Sequence, residues 1–266
     1  MNIIVCIKQI QDPEIPPAKF KIDPATNKVI PPEGIPPVIN PFDEQCVEAA
    51  LRIKGTKGGK ITALTIGKEP AKDALRHALA MGADEAIILE DDAFEGSDSP
   101  GIAYILSKAI QKIGQYDLIL CGRQAADWDE GQTGFFIAEN LKIPIVTLAR
   151  KIEAIDSKIR VERVRLDGYD VVEAALPALV TVSNELGQPR LPSGLGIITA
   201  ARKKIETWKA TDIGVEPSQV GASAARTKVT KLFIPVKQVK CEIVEGEDAA
   251  EAAVKLALKM REAKLI

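Results

Sequence analysis

Residues 117–134 read DLILCGRQAADWDEGQTG. A short apolar run, Leu118 to Leu120, ends in Cys121-Gly122, and a polar loop carrying Asp127 and Asp129 follows. Gly131-Gln132-Thr133-Gly134 then leads into an apolar-periodic segment, Phe135 to Leu141. The order is strand, loop, helix. In an open parallel sheet, ligands sit where strand C-termini meet helix N-termini. Free N–H groups and the helix dipole suit that end to a phosphate. The loop matches neither of the well-defined phosphate motifs, G-x-G-x-x-G or G-x-x-x-x-G-K-[ST]. Two readings therefore stand: a nucleotide seat, or a βα loop whose Asp and Thr only cap a helix.

Working outward, short apolar runs alternate with helix-period segments through the first half of the chain. Strands are predicted at Asn2–Ile7, Lys60–Ile66, Glu85–Leu89 and Tyr116–Leu120. Helices are predicted at Glu44–Lys54 with Asp43 as N-cap, at Pro70–Met81, at Pro100–Ile113 after Ser99, and at Thr133–Leu141. Strands separated by helices of this length predict an α/β fold, a mostly parallel open sheet with helices on both faces, Rossmann-like. Residues 12–41 interrupt the rhythm with many prolines, and Asp23-Pro24-Ala25-Thr26-Asn27 predicts a small hairpin between Lys19–Ile22 and Lys28–Ile30.

After Pro144 the period changes. Ile145–Ala149, Arg160–Arg165, Val171–Ala174 and Ala178–Val182 read as strands, with a turn at Asp167-Gly168 that predicts antiparallel additions to the sheet. Residues 184–204 form a Gly/Pro-rich loop running into a basic helical segment. Beyond Ile205 the chain reads as extended and polar to Lys228. Val229–Val236 is a candidate strand that Pro235 confines to an edge. Asp248–Ala263 reads as a helix with Ala252, Leu256 and Met260 on one face. The expected organisation is an α/β domain over 1–183, a Gly/Pro-rich loop over 184–204 within it, and a C-terminal extension with its helix over 205–266 that wraps a partner or packs on its own domain.

Composition narrows the function. Lys+Arg 35 against Asp+Glu 37 leaves no strong field for nucleic acid or a membrane surface. No apolar run is long enough for a bilayer span, and the N-terminal stretch lacks the features of a signal peptide, so a cytoplasmic protein is expected. Cys6, Cys46, Cys121 and Cys241 are far apart and form no C-x-x-C, so no metal site is expected. The single histidine, His77, has no neighbour that completes a nucleophilic triad. No catalytic residue is assigned. The chain reads as one that binds a nucleotide or carries a cofactor, with a non-redox adenine-nucleotide-binding protein of the same α/β architecture as one alternative.

Several ordered segments together resemble the electron transfer flavoprotein β-subunit family. They are Lys8 after the first strand, Asn40-Pro41-Phe42 before a helix with Glu48, Ala50, Arg52 and Lys54, and Ala78-Leu79-Ala80-Met81-Gly82-Ala83-Asp84. Gly122-Arg123-Gln124-Ala125 with Asp127, Asp129 and Gln132-Thr133-Gly134 continues the likeness, as do Leu176 to Thr181, Pro189-Arg190 and Arg202-Lys203-Lys204. The likeness covers nearly the whole chain.

The resemblance implies a heterodimer with an α subunit that holds most contacts to a redox-active FAD. It implies a second nucleotide in this subunit: structural AMP in ordinary carriers, a second FAD fed by NADH in bifurcating relatives. Partners would be a flavin dehydrogenase of the acyl-CoA dehydrogenase type and a downstream acceptor oxidoreductase. Carried over by position, the nucleotide site draws on Cys6 through its backbone, on Asn40, Pro41, Phe42 and Asp43 beside the adenosine, and on Ile66 and Gly67. Gly122, Arg123, Gln124, Ala125, Asp127, Asp129, Gly131, Gln132 and Thr133 wrap the phosphate. Asp127 and Asp129 cannot favour a phosphate themselves; they hold loop N–H groups or accept from a ribose hydroxyl. Phe42 has two readings, an approach to the α-subunit flavin or core filling.

Bifurcating members carry a loop like D-G-D-T-A-Q-V-G-P. Here Trp128 replaces the glycine, Thr133 stands where valine is expected, and Gly134-Phe135 lacks the proline, which leans toward AMP. Glu130 adds a negative charge that fits neither pattern. The 184–204 segment resembles the family's docking loop, with Leu195 the first choice of anchor and Leu191 the second. Arg190, Arg202, Lys203 and Lys204 would meet acidic partner residues. Pro13 stands near the place where the family has an aromatic.

Overall fold

The chain order is β1 (Asn2–Cys6), β2 (Gln9–Ile10), β3 (Lys21–Asp23), β4 (Lys28–Ile30), β5 (Val38–Ile39), α1 (Pro41–Lys57), β6 (Lys60–Ile66), α2 (Lys72–Met81), β7 (Glu85–Leu89) and α3 (Ser99–Ile113). It continues with β8 (Leu118–Gly122), α4 (Thr133–Leu141), β9 (Ile145–Ile155), β10 (Lys158–Arg165), β11 (Gly168–Ala175), β12 (Ala178–Val182), α5 (Gly194–Arg202), β13 (Glu206–Trp208), α6 (Gly221–Ala224) and α7 (Ala249–Glu262). This computed structural model describes residues 1–235 and 241–266.

Nine strands form one sheet in the order β11-β10-β9-β12-β8-β1-β6-β7-β13. The ladder from β9 to β13 is parallel throughout. β1, β8 and β12 are almost wholly buried apolar runs, which is what a strand covered on both faces requires. Progression from β1 through β6 to β7 runs one way; β8 then returns to the other side of β1. With right-handed crossovers, that reversal puts helices on opposite faces. Residues of α1 and α2 accordingly share one core cluster with Val5 and Leu120, and those of α3 and α4 share the other with Ile4 and Ile119. The reversal between β1 and β8 is the topological switch point, where the loops after two adjacent strands diverge and an open parallel sheet is expected to bind its ligand.

The predicted α/β architecture is the one observed. α4 has the predicted bounds, and the expected hairpin is the antiparallel pair β3–β4. Other expectations need correction. α1 starts at Pro41 with Asn40 as N-cap, so Asp43 lies inside the first turn instead of capping it. A proline with fixed φ is well suited to that first helical position. α3 is capped by Asp98, whose carboxylate accepts from Gly101 N–H at 3.2 Å. Ile145 to Val182 is not wholly antiparallel: β9, β10 and β11 are, but β12 inserts parallel between β9 and β8.

Residues after Ile205 are not simply extended either. β13 joins the sheet edge beside β7, and short helical turns follow. Residues 229–235 form no strand, and Val236 lies outside the described residues. No residue of α7 is buried, and Val254, Leu256 and Leu258 are exposed. Among the described residues no helix is long and apolar enough to cross a membrane.

Candidate functional site

The switch-point crevice is built around α1's first turn. Asp43, buried at 6 % exposure, accepts from Lys8 N–H at 2.8 Å through Oδ2 and from Gly122 N–H at 3.0 Å through Oδ1. One carboxylate thus fastens the ends of β1 and β8 to the helix between them. Burial pushes the Asp43 carboxyl up to about 7, against the opposing donors Lys8 N–H, Asn40 and Gly122 N–H.

Asn40, 1 % exposed, sits just before that turn. Its Nδ2 donates to Gln124 O at 2.9 Å and its Oδ1 accepts from Ala126 N–H at 3.1 Å. Both amide functions are satisfied by the loop after β8. Lys8 closes the same loop from the other side, its Nζ reaching Asp127 Oδ1 at 2.8 Å and Oδ2 at 2.7 Å. Gln124 Nε2 donates to Asp129 Oδ1 at 2.7 Å. Asp129 adopts φ 54° and Gly131 φ 62°, so the loop turns back through two left-handed residues. Among the described residues the two aspartates accept from the side chains of Lys8 and Gln124, not from loop N–H groups.

At its far end the loop enters α4. The first N–H groups of any helix have no intrahelical partner, and here they belong to Gln132, Thr133 and Gly134. Gly134 lies close against β12: a Cβ there would meet Thr181 Cγ2 at 3.0 Å. Glu130 Oε2 accepts a hydrogen bond from Ser99 Oγ, in the first turn of α3. Among the described residues the N–H groups of Gln132, Thr133 and Gly134 have no partner, and with the adjacent left-handed Gly131 they fit a phosphate at this helix start.

The remaining predicted residues fall around this frame. Phe42 is half-buried, and the Arg123 guanidinium lies 5.8 Å from its ring centre. Arg123 also donates to Ser183 Oγ at 3.4 Å. Pro41 is exposed, and Ala125 O accepts from Asp129 N–H at 2.9 Å in the loop turn. Cys6 and Cys121 end adjacent strands with their thiols in contact; that contact and burial push the Cys121 thiol up. Ile66 and Gly67 end β6, on the side of β1 away from β8, and Gly67 N–H donates to Leu89 O at 3.1 Å. Among the described residues no hydrogen bond joins them to the 122–133 loop.

The proposed docking residues divide. Leu191 and Leu195 are 89 % and 75 % exposed, and Ile197 and Ile198 extend the apolar surface along α5. Arg202 and Lys204 are exposed. Arg190 and Lys203 are bonded within the chain. Arg190 Nε donates to Glu48 Oε2 at 2.7 Å, and Lys203 Nζ to Ala83 O at 2.8 Å. Burial alone would raise the Glu48 carboxyl, but donors from Arg190 and Arg52 hold it below its usual value. α5 lies so close to α2 that a Cβ on Gly196 would sit 2.4 Å from Ala80 O.

Sequence reasoning assigned no site role to Lys8 or Ser99. Lys8 carried a signal, as the first charged residue after a wholly apolar strand. Ser99 carried none, because its partner is thirty-one positions away.

Comparison with known proteins agrees with the geometry. Residues 29–213 match the electron transfer flavoprotein domain. The chain is 45 % identical over 247 residues to the electron transfer flavoprotein subunit beta of Thermoanaerobacterium thermosaccharolyticum, covering 92 % of this chain and 93 % of the relative. It is 41 % identical over 261 residues to the subunit beta of Megasphaera elsdenii, covering 96 % and 95 %. It is 40 % identical over 267 residues, the full length of both, to the caffeyl-CoA reductase-Etf complex subunit CarD of Acetobacterium woodii. An electron-transfer fold, a switch-point crevice and these relatives lead to one conclusion: the chain belongs to the electron transfer flavoprotein β-subunit family.

Proposed function

We propose that this chain pairs with an electron transfer flavoprotein α subunit and holds AMP in the switch-point crevice, in a carrier that relays electrons from a flavin dehydrogenase to a downstream acceptor. A bound flavin, held mainly by the α subunit, supplies the redox chemistry. This chain's residues supply binding and orientation. Asn40 and Asp43 fix the crevice walls, Lys8 and Asp127 shut the loop, and Gln132 and Thr133 present N–H groups to the phosphate.

The Glu130–Ser99 contact carries the choice of AMP. It ties Glu130 to the first turn of α3, whose start Asp98 already caps, and leaves the start of α4 for a phosphate. One anion seat suits a monophosphate, whereas a dinucleotide's pyrophosphate needs a longer cradle. Exposed Trp128, in place of a small residue, points the same way.

One relative favours a second reading. The A. woodii protein is named for a caffeyl-CoA reductase complex. A partner that reduces a CoA ester fits the alternative in which this subunit binds a second FAD and NADH is the electron source.

The test is to purify the chain with its α subunit, denature the complex and quantify the released nucleotides. One FAD and one AMP per heterodimer is the expected result. Two FAD and no AMP would replace this reading with the second.

A further inference from the structure

We propose that Glu48 is a positioning residue for partner docking: from within α1 it sets the conformation of the segment that presents Leu191, just before the helix that carries Leu195. This rests on the reading of residues 184–204 as the docking surface.

Glu48 is 5 % exposed, midway along α1. Its carboxylate accepts from Arg190 Nε at 2.7 Å, Arg190 N–H at 3.2 Å and Arg190 Nη2 at 3.3 Å. It also accepts from Arg52 Nε at 2.8 Å, and Arg52 Nη1 donates onward to Leu186 O at 3.1 Å. One buried acid thereby holds both ends of the stretch from Leu186 to Arg190.

That stretch has little else to define it. Gly187 sits at φ 105°, and prolines at 189 and 192 remove two donors. Among the described residues, the only backbone hydrogen bond made by residues 188–192 is Arg190 N–H to Glu48. Leu191, 89 % exposed, follows immediately. Two residues on, Ser193 Oγ accepts from Gly196 N–H at 3.0 Å and starts α5, which carries Leu195. The far end of α5 is fixed independently, by Arg76 Nη1 on Ala200 O at 2.6 Å. The start of α5 is also packed on α2, where Gly196 lies against Ala80 O, so Glu48 governs the stretch before α5, which carries Leu191.

Docking of an exposed apolar anchor is strengthened when its free conformation already matches the bound one. Releasing the segment from Glu48 leaves Leu191 in place in sequence but unordered before encounter, while Leu195 stays held in α5. Arg190 then affects docking through its bond to Glu48, not by contact with the partner. Lysine at 190 would keep the charge but lose the forked geometry and the second donor to Glu48.

The test uses the heterodimer and an acyl-CoA dehydrogenase of varied concentration as electron donor. Glu48→Gln is expected to raise the KM for the dehydrogenase about tenfold, with kcat within about twofold and nucleotide content unchanged. Arg190→Lys, at a half-exposed position that cannot unfold the core, is expected to raise KM about threefold. Leu195→Ala, in the same assay, is expected to raise KM through loss of the anchor itself. Wild-type KM in both Glu48→Gln and Arg190→Lys, with KM raised in Leu195→Ala, overturns the role of Glu48. Unchanged KM in Leu195→Ala overturns the docking reading of the loop and this proposal with it.

Discussion

Asp43 Oδ1 accepts the Gly122 N–H at 3.0 Å, and a Cβ placed on Gly122 would lie 2.4 Å from that same oxygen. The strand end and the helix turn are therefore as close as a backbone without a side chain permits. Gly122 is not needed for an unusual φ; it is needed for proximity. The same Cβ would lie 2.8 Å from Phe42 Cβ, so the helix turn blocks it on two sides.

Gly122→Ala is expected to separate β8 from α1 by pushing on the Asp43 carboxylate and the Phe42 stem. Overpacking of this kind costs about 1–3 kcal/mol. A lowered urea midpoint, together with loss of AMP from the purified heterodimer, is the expected outcome. A variant of wild-type stability that retains its nucleotide would show that the crevice tolerates expansion.

Asp43 also makes stability depend on pH. Its carboxyl stands at about 7 against an ordinary 3.8, so between those values the folded chain keeps a proton that the unfolded chain releases. Folding then binds protons, and stability falls as pH rises through that window and levels off above about 7. A shift of this size amounts to at most about 4 kcal/mol. Asparagine at 43 cannot titrate. The stability of the wild type relative to Asp43→Asn should therefore decline from pH 5 to pH 8, measured by urea denaturation at each pH. Parallel profiles would mean that the carboxyl is not protonated in the folded chain.

How far the sequence foretold this site depended on the range of the interactions. The β8–loop–α4 unit was legible because its signal is local: an apolar run, a polar loop, then helical spacing from Thr133. Asn40 and Asp43 were legible as site residues only through their order with other motifs, since each acts on residues about eighty positions away. The capping of α1 was misassigned because Asp is a strong capping residue and Asn40-Pro41 reads equally well as a turn. β12 was misjudged because hairpin signals before it hide a long-range parallel pairing with Leu118 to Gly122. The bond between Glu48 and Arg190 spans 142 positions and left no local pattern at all.

The Lys8–Asp127 pair separates loop closure from fold stability. Lys8 and Asp127 side chains are 46 % and 24 % exposed, so their attraction is screened and contributes at most about 1 kcal/mol to folding. Yet the pair joins the end of β1 to the loop that wraps the proposed phosphate. Opening of such a loop is a local event, with its own free energy below that of global unfolding. Asp127→Asn is therefore expected to leave the urea midpoint almost unchanged while AMP dissociates several-fold faster from the heterodimer. The dissociation rate of the wild type should also rise with added salt, and that of Asp127→Asn much less, because only the former has an ion pair to screen. Rates measured by exchange against labelled AMP at low and high salt decide the matter. Equal rates and equal salt dependence in the two proteins would remove this ion pair from the closing of the crevice.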